Sequence, residues 1–325
     1  MAASHSEVWQ DGVVVLSRPV AQDIVRIEID VSRPTTVDPG AHVDVRIPVA
    51  GVPVRRSYSI VDATPDGARI ALSVFQAETS RGGAAAMHAL QPGDRIEVTQ
   101  PRNDFPLRWG APRYVLVAGG VGVTAMLGMA ERLRSAGADY RLVYAGRSRE
   151  RMAYLDELVA THGDRIDVRV STEGDPLDVD LLLDGIRPGD ELYVCGPIRL
   201  MDAVRRGWTA RGYPPTDVRM ETFGNSGWFA PQPFTVRVPA LGAEVLVGPE
   251  QSMLEALEEA GVDMMYDCRK GECGLCEVRV LSLAGDIDHR DVFYSERQKD
   301  ARSKMCCCVS RVVGVTGGTV EIVTT

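Results

Sequence analysis

Six of the seven cysteines in this 325-residue chain lie between residues 268 and 308, and this clustering constrains the fold more than any other feature. Three of them follow the spacing C-x4-C-x2-C, at Cys268, Cys273 and Cys276, and residues 306–308 are three further cysteines in a row. The N-terminal stretch MAASHSEVWQDG lacks the basic and apolar regions of a secretory signal, so we expect a cytoplasmic protein. Because disulfides rarely persist in that compartment, the cluster predicts metal binding.

The spacing of the first three cysteines, with one distant cysteine, is the plant-type ferredoxin pattern, in which four thiolates hold a [2Fe–2S] cluster. Gly271 and Gly274 would let backbone amides approach the sulfur atoms, which stabilises the reduced cluster. A zinc module is the alternative, but zinc usually takes paired C-x2-C knuckles and the sequence has no second pair. Spacing alone leaves Cys306, Cys307 and Cys308 open as the fourth ligand.

Charge and hydropathy exclude some partners. The formal net charge of −9 argues against a nucleic-acid partner, and no apolar run is long enough to span a membrane. Residues 234–325 carry 10 Lys and Arg against 15 Asp and Glu, an acidic balance that fits either a plain solvated surface or one that steers docking to a basic partner. We expect a monomer.

Residues 1–108 predict a flavin-binding antiparallel β-barrel. Short alternating or β-branched segments such as IVRIEIDV and HVDVRIPV are separated by turn signals such as DPGAH and QPGD. One helical stretch, GGAAAMHAL, precedes the last strand. Many evenly spaced strands of this kind favour a small barrel.

Residues 109–224 predict an α/β domain with a parallel sheet that binds NAD. Buried-type strands such as RYVLVAGG and ELYVCGP alternate with helical segments such as VTAMLGMAERLRSAG. Residues 225–233 are rich in Gly, Pro and Asn and predict a linker. Residues 234–325 predict an α+β domain of the β-grasp type, with a hairpin, the amphipathic helix SMLEALEEAG and the cysteine loop.

The barrel contains two candidate flavin contacts. In the stretch RSYS, Tyr58 would lie along the isoalloxazine face, Ser59 would bond the ring edge or ribityl chain, and Arg56 would meet the phosphate. The two glycines of RGG open a helix, whose free amides suit a phosphate. The predicted flavin-binding residues are Arg56, Ser57, Tyr58, Ser59, Arg81, Gly82 and Gly83.

The candidate nucleotide site begins at AGGVGVT, which follows a strand and opens a helix without being a G-x-G-x-x-G fingerprint. The small side chain of Cys195 would flank the nicotinamide. Glu173 and Asp175 follow the third strand and favour a free ribose 2′-hydroxyl, hence NADH over NADPH, although Arg147 and Arg149 would suit a 2′-phosphate. The predicted nucleotide-binding residues are Gly119, Gly120, Gly122, Thr124, Glu173, Asp175, Cys195, Gly196 and Pro197.

Taken together, these blocks resemble the phthalate dioxygenase reductase family, the reductase components of Rieske-type aromatic oxygenases and O-demethylases. The resemblance covers nearly the whole chain in the family's order. The matching stretches are RSYS (56–59), RGG (81–83), PRNDFPL (101–107), LVAGGVGVTAML (116–127), CGPIRLMD (195–202), ETFG (221–224), CRKGECGLC (268–276), DHRD (288–291) and CVSR (308–311).

The resemblance implies FMN as the flavin and implies that Phe223 of ETFG stacks near it. It also implies that the cysteine of CVSR is the fourth cluster ligand, which selects Cys308 beside Cys268, Cys273 and Cys276. Ala125 departs from the family, which usually has proline there, and Cys306 fits the plant-ferredoxin spacing and stays the rival ligand.

The predicted function is an NADH-dependent oxidoreductase that passes electrons through FMN and the [2Fe–2S] cluster to a terminal oxygenase, by resemblance a Rieske-type one. This order follows because NADH gives a hydride and the cluster carries single electrons, while a flavin does both. The residues expected at the reacting atoms are Ser59, Cys195 and Phe223. A reductase for a cytochrome P450 is the alternative, and a non-enzymatic electron carrier or zinc module is a third hypothesis.

Overall fold

The computed structural model describes residues 7–49, 51–77, 82–223, 227–249, 251–314 and 317–324. The chain divides into two compact units. The first comprises residues up to Gly196 together with Ala203–Glu221, and the second comprises Pro197–Asp202 together with residues from Thr222 onward. The barrel and the parallel sheet therefore belong to one unit. No helix among the described residues is long and apolar enough to cross a bilayer.

Within the described ranges, six strands of the first unit close into an antiparallel barrel in the order β1-β2-β5-β4-β3-β6, as the sequence predicts. Alternating side chains point into the barrel, where Ile27, Val45, Leu72 and Val98 are fully buried. A short helix, α1, precedes the last strand. The elements are β1 (Trp9–Ala21), β2 (Ile24–Val31), β3 (His42–Val49), β4 (Val52–Ala63), β5 (Arg69–Phe75), α1 (Gly83–His88) and β6 (Arg95–Thr99).

The same unit contains a five-stranded sheet in the order β11-β10-β7-β8-β9, in which every described pairing is parallel. All six residues of β7 are buried, as expected for the central strand of a parallel sheet. The elements are β7 (Tyr114–Gly119), α2 (Val123–Ser135), β8 (Tyr140–Gly146), α3 (Leu155–His162), β9 (Ile166–Val170), α4 (Val179–Asp184), β10 (Glu191–Cys195), α5 (Ile198–Ala210) and β11 (Val218–Glu221). The first residues of α5, up to Asp202, are assigned to the second unit.

The second unit is built on a mixed sheet of five described strands in the order β13-β12-β18-β14-β16, with β15 and β17 paired separately. Helix α6 begins with a capping box between Ser252 and Glu255 and buries Met253, Leu254 and Leu257 against the sheet, as predicted. The elements are β12 (Phe234–Val238), β13 (Ala243–Val247), α6 (Met253–Glu259), β14 (Glu277–Ala284), β15 (Asp286–Asp288), α7 (Glu296–Asp300), β16 (Lys304–Cys306), β17 (Arg311–Val313) and β18 (Gly318–Thr324).

The described part of the predicted linker is bound to the second unit by hydrogen bonds. Arg290, of which only 1% is exposed, pairs with Asp288 at 2.6 Å and donates to the Phe229 carbonyl at 3.0 Å. The Asp288 carboxylate also accepts from the Trp228 amide at 2.9 Å, and the buried Arg311 donates to the Gln232 carbonyl at 3.0 Å. Residues 228–232 are therefore part of this unit and do not form a free tether.

We predict that Arg290→Leu lowers the free energy of unfolding of the second unit by about 3–5 kcal/mol, because it leaves the Asp288 carboxylate buried without its counter-charge. Native-state hydrogen exchange of β12, β14 and β18 measures this change. The control is Arg302→Leu, since the exposed Arg302–Asp286 pair contributes at most about 1 kcal/mol. Equal effects of the two substitutions would contradict the assignment.

Candidate functional site

The RSYS stretch lies in strand β4, so its successive side chains point alternately to the two faces of the sheet. In the register with β3, Ser57 and Ser59 oppose Asp44 and His42, whereas Tyr58 opposes Val43. Tyr58 packs against the barrel core, and burial raises the pKa of its phenol to about 12. Side chains of successive residues point to opposite faces of a strand, so Tyr58 and Ser59 present different surfaces to any ligand.

Arg56 lies beside the glycine turn that precedes α1. A Cβ added to Gly83 would be 3.1 Å from the Arg56 Nε atom, so the guanidinium covers this end of the helix. Gly82 has φ = 72° and would place a Cβ 2.7 Å from Val49 Cγ1, which explains why the turn needs glycine. The structure thus brings the predicted residues Arg56, Gly82 and Gly83 together. Arg81 lies outside the described residues.

The two serines of RSYS differ in their hydrogen bonding. The Ser57 hydroxyl donates to the buried Asp44 carboxylate, so its proton is not available to a ligand. Burial alone would raise the pKa of Asp44, but Arg55, Ser57 and His42 together hold it below its ordinary value. The Ser59 hydroxyl is buried and has no hydrogen-bond partner among the described residues. An unsatisfied buried hydroxyl is unfavourable, so Ser59 is the serine that fits a flavin contact.

The glycine loop meets Cys195 and Gly196 at the carboxyl edge of the parallel sheet. The order of strands reverses between β7 and β10, and ligands of open α/β sheets bind at such a switch point. A Cβ on Gly122 would be 2.2 Å from the Cys195 carbonyl oxygen, whereas one on Gly120 would meet nothing within 4 Å. Gly122 thus permits the close approach of two strand ends, and Gly120 leaves open space above the loop.

Thr124 and Cys195, two predicted residues of this crevice, are not directly available to a ligand. The Thr124 hydroxyl donates to the Val121 carbonyl at 2.9 Å, which braces the loop. The Cys195 side chain is fully buried in this structure, while Gly196 is partly exposed and Pro197 is exposed. The contact predicted between the Cys195 thiol and a nicotinamide therefore requires the thiol to become exposed.

The acidic residues after β9 are paired with arginines. Arg149 makes two hydrogen bonds to Glu173, at 2.7 and 2.9 Å, and Arg169 contacts Asp175 at 2.9 Å. The Arg149 guanidinium holds the pKa of the Glu173 carboxyl below its usual range. Both signs of charge are present at this exposed corner, so the choice between a 2′-hydroxyl and a 2′-phosphate depends on how these pairs respond to the ligand.

The cysteine loop directs backbone amides at a sulfur atom, as its glycines predict. The amides of Lys270, Glu272 and Cys273 each lie 3.4 Å from Cys268 Sγ. Gly271 and Gly274 have φ values of 78° and 74°, and an added Cβ would come within 2.6 Å of Val309 and 2.2 Å of Phe293. Only glycine fits these two positions, so the loop is closed tightly around Cys268.

The thiols of the second unit lie in two neighbouring groups. Cys268 is next to Cys273, and their contact lowers the pKa of Cys273 to about 6. Contacts with residues 306–308 likewise lower the pKa of Cys276. Among the described residues no three His, Cys, Asp or Glu side chains surround one point as a single metal ion requires. Two groups of thiols are what a two-iron centre needs, since each iron takes two protein ligands.

The three consecutive cysteines have different surroundings. Cys306 opposes Glu277 across the β14–β16 pairing. The pKa of its thiol is raised most by the contact with Cys276, next by burial, and then by the negative charge of Asp291. Cys307 is fully buried, and its carbonyl accepts from the Leu254 amide at 3.0 Å. The pKa of the Cys308 thiol is raised by contact with Cys276, then by burial, and Cys268 is also among its charged neighbours. Cys308 thus contacts Cys276 and interacts electrostatically with Cys268.

Some residues of these sites were missed by the sequence analysis. The Asp44–Arg55–Ser57 network depends on the register between β3 and β4, which no local pattern reveals. Phe223 belongs to the second unit and is partly exposed. Its neighbour Thr222 donates its amide to Glu272 of the cysteine loop at 2.8 Å, a contact without a sequence signal.

Comparison with known proteins gives matches along most of the chain. Residues 237–313 match the family model described as a 2Fe-2S iron-sulfur cluster binding domain. The β subunit of a haem-dependent oxidative N-demethylase from Ectopseudomonas mendocina is 36% identical over 276 residues, 85% of this chain and 86% of that protein. The solved structure of an intact type IV self-sufficient cytochrome P450 monooxygenase is also similar. The match covers 97% of this chain and 41% of the P450 chain, at 33% identity and a TM-score of 0.67.

Phthalate dioxygenase reductase is similar along almost its whole length. The protein from Burkholderia cepacia is 34% identical over 303 residues, 90% of this chain and 91% of the relative. The solved structure of a phthalate dioxygenase reductase, described as modular for electron transfer from pyridine nucleotides to [2Fe-2S], covers 97% of this chain and 98% of its own at a TM-score of 0.75 and 31% identity. The chain therefore belongs to the phthalate dioxygenase reductase family, and it is an oxidoreductase that uses a pyridine nucleotide, a flavin and a [2Fe–2S] cluster.

Proposed function

We propose that this protein is the NADH-dependent reductase component of an oxygenase or demethylase system, with FMN as its flavin. The observation that carries the proposal is the cysteine loop, in which three backbone amides donate to Cys268 Sγ and the thiols form two groups. The same chain contains a crevice suited to a nucleotide and a barrel in which the buried Ser59 hydroxyl has no hydrogen-bond partner among the described residues. When bound, the flavin accepts a hydride and releases single electrons to the cluster. Purified protein with stoichiometric FMN, iron and acid-labile sulfide would support this assignment, and zinc or no metal would refute it.

The barrel residues hold and orient the flavin. Arg56, with the backbone at Gly82 and Gly83, neutralises the phosphate of FMN, because a guanidinium and free amides are favourable partners for an anion. The Ser59 hydroxyl supplies a hydrogen bond to the ring system, which satisfies its buried oxygen. Tyr58 contributes apolar surface.

The crevice at the carboxyl edge of the parallel sheet binds the dinucleotide. Gly119, Gly120 and Gly122 let the pyrophosphate approach the start of α2, Thr124 braces this turn, and Gly196 lies beside Gly122. Pro197 stays a predicted contact of the nucleotide. Glu173 and Asp175 favour the 2′-hydroxyl of NADH. Cys195 remains the residue predicted to flank the nicotinamide, and Phe223 the residue expected to stack near the flavin.

Cys268, Cys273, Cys276 and Cys308 are the proposed cluster ligands. Both Cys306 and Cys308 contact Cys276, but only the Cys308 thiol also interacts electrostatically with Cys268, which supports Cys308 as the fourth ligand. The amides at Cys268 stabilise negative charge on the sulfur, which favours the reduced cluster.

The proposed electron acceptor is a terminal oxygenase of the Rieske type, reached through the acidic second unit. A haem protein is the second candidate. Two observations favour it: one relative is named as a subunit of a haem-dependent demethylase, and a P450 monooxygenase contains a segment similar to this whole chain. Reconstitution with each class of purified oxygenase distinguishes them, because only the natural partner supports NADH-dependent turnover of its substrate.

We predict that Cys308→Ser abolishes NADH-driven reduction of a one-electron protein acceptor and removes the normal cluster spectrum, while NADH still reduces the flavin. Anaerobic spectra and stopped-flow absorbance measure both steps. Cys306→Ser and Cys307→Ser serve as matched controls and should retain the cluster. A normal cluster spectrum in Cys308→Ser would transfer the ligand assignment to Cys306.

We also predict that Glu173→Gln raises the ratio of kcat/KM for NADPH to that for NADH about fivefold, because it removes a carboxylate from the ribose and releases Arg149 for the 2′-phosphate. Steady-state kinetics with both nucleotides gives the ratio. Glu131→Gln, which breaks the similarly exposed Glu131–Arg134 pair on α2, is the control and should leave the ratio unchanged. An unchanged ratio in Glu173→Gln would exclude this residue from nucleotide selection.

A further inference from the structure

A side chain of the cysteine loop is bonded to the segment that follows β11. The Glu272 carboxylate accepts the amide hydrogen of Thr222 at 2.8 Å, and Thr222 is 1% exposed. Glu272 lies directly before Cys273, and its own amide donates to Cys268 Sγ. One residue therefore connects the sulfur ligands with the stretch that contains Phe223.

A second polar bridge starts from α7. Lys299 Nζ donates to Asp202 Oδ1 at 3.3 Å and to the Asp291 carbonyl at 2.9 Å, and both side chains of the ion pair are at least nine-tenths buried. Asp291 packs against the cysteine loop, since a Cβ on Gly271 would be 3.0 Å from its Cα, and the next amide, Val292, donates to the Gly271 carbonyl at 3.0 Å. Asp202 is thereby linked to Gly271.

The two bridges end at adjacent residues of the loop, Gly271 and Glu272. They start in residues 197–202 and at Thr222, the segments of the second unit that precede the linker. A cation–π contact of 5.0 Å between Arg199 and Trp228 adds to them. Charge-assisted and buried hydrogen bonds are geometrically specific, so they can fix the position of a loop more closely than apolar contacts do.

We propose that Glu272 and Lys299 are positioning residues, which hold the cysteine loop on the segments at Pro197–Asp202 and Thr222 and thereby set the rate at which electrons from NADH reach the cluster. This inference rests on the proposed function. It assigns the two side chains a role in transfer to the cluster and none in hydride transfer or in ligation of iron.

The first test compares two rates in the loaded enzyme. Anaerobic stopped-flow absorbance after mixing with NADH follows reduction of the flavin and then of the cluster. We expect Glu272→Ala and Lys299→Gln to lower the rate of cluster reduction about tenfold, the factor that corresponds to loss of one charge-assisted hydrogen bond. The rate of flavin reduction and the iron content should remain those of the wild type. Glu272→Gln keeps an acceptor oxygen and should retain most of the rate.

The matched controls are Glu244→Ala and Lys304→Gln, which remove exposed members of the ion pairs with Arg237 and Glu277 in the same unit. Both should leave cluster reduction unchanged. Wild-type rates of cluster reduction in Glu272→Ala and Lys299→Gln would overturn the inference. If either variant loses iron, Asp202→Asn is the deciding variant, because it weakens the Lys299–Asp202 bridge at the end that lies outside the cysteine loop. Asp202→Asn should slow reduction of the cluster, and a wild-type rate in this variant would overturn the inference.

A second measurement is independent of electron transfer. In hydrogen exchange, the Thr222 amide should exchange about tenfold faster in Glu272→Ala than in the wild type or in Glu244→Ala, because its acceptor is lost. Equal exchange would overturn the inference. Failure of the proposed function is distinguishable, since wild-type protein would then show no NADH-driven reduction of the cluster at all.

Discussion

The donation of three backbone amides to one cysteine sulfur is the interaction on which the second unit depends. It requires the chain to turn sharply around Cys268, and the left-handed φ values of Gly271 and Gly274 make this turn possible. The neighbours Val309 and Phe293 leave no room for a Cβ at either glycine. The spacing of the cysteines is therefore a consequence of backbone geometry as well as of the number of thiolates that two irons need.

Buried ion pairs extend this constraint to the surrounding chain. Asp288 and Arg290 bind each other and also backbone groups of residues 228 and 229, while Arg311 binds three backbone carbonyls, those of Gln232, Gly248 and Gln251. Each guanidinium satisfies groups from segments that are distant in sequence. Removing one partner would leave a buried charge, so such pairs specify the arrangement even where they add little net stability. The DHRD and CVSR stretches, which contain Arg290 and Arg311, thus have a structural role next to the cluster.

Much of the fold could be predicted because its signals are local. The two-residue period of IVRIEIDV marked a barrel strand, the run YVLVAG marked a central parallel strand, and C-x4-C-x2-C marked the cluster loop. What could not be predicted depends on contacts between distant residues. The Ser57–Asp44 bond needs the β3–β4 register, and the pairing of Glu173 with Arg149 needs two loops of the parallel sheet to meet. Composition likewise predicted a linker over 225–233, but the buried Arg290 and Arg311 bind the carbonyls of Phe229 and Gln232 within it.

The acidity of the second unit has a physical consequence that follows from where its cations lie. Lys270, Arg290 and Arg311 are buried in this unit and Lys299 is nine-tenths buried, whereas its buried carboxylates among the described residues are those of Asp202, Asp288 and Asp291. The cations are used to hold the fold, so the solvent-facing surface is more acidic than the sequence composition of the unit indicates. Such a surface accelerates encounter with a basic partner and loses this advantage as salt screens it. The same positive charges that organise the interior therefore leave an excess of negative charge on the surface of this unit.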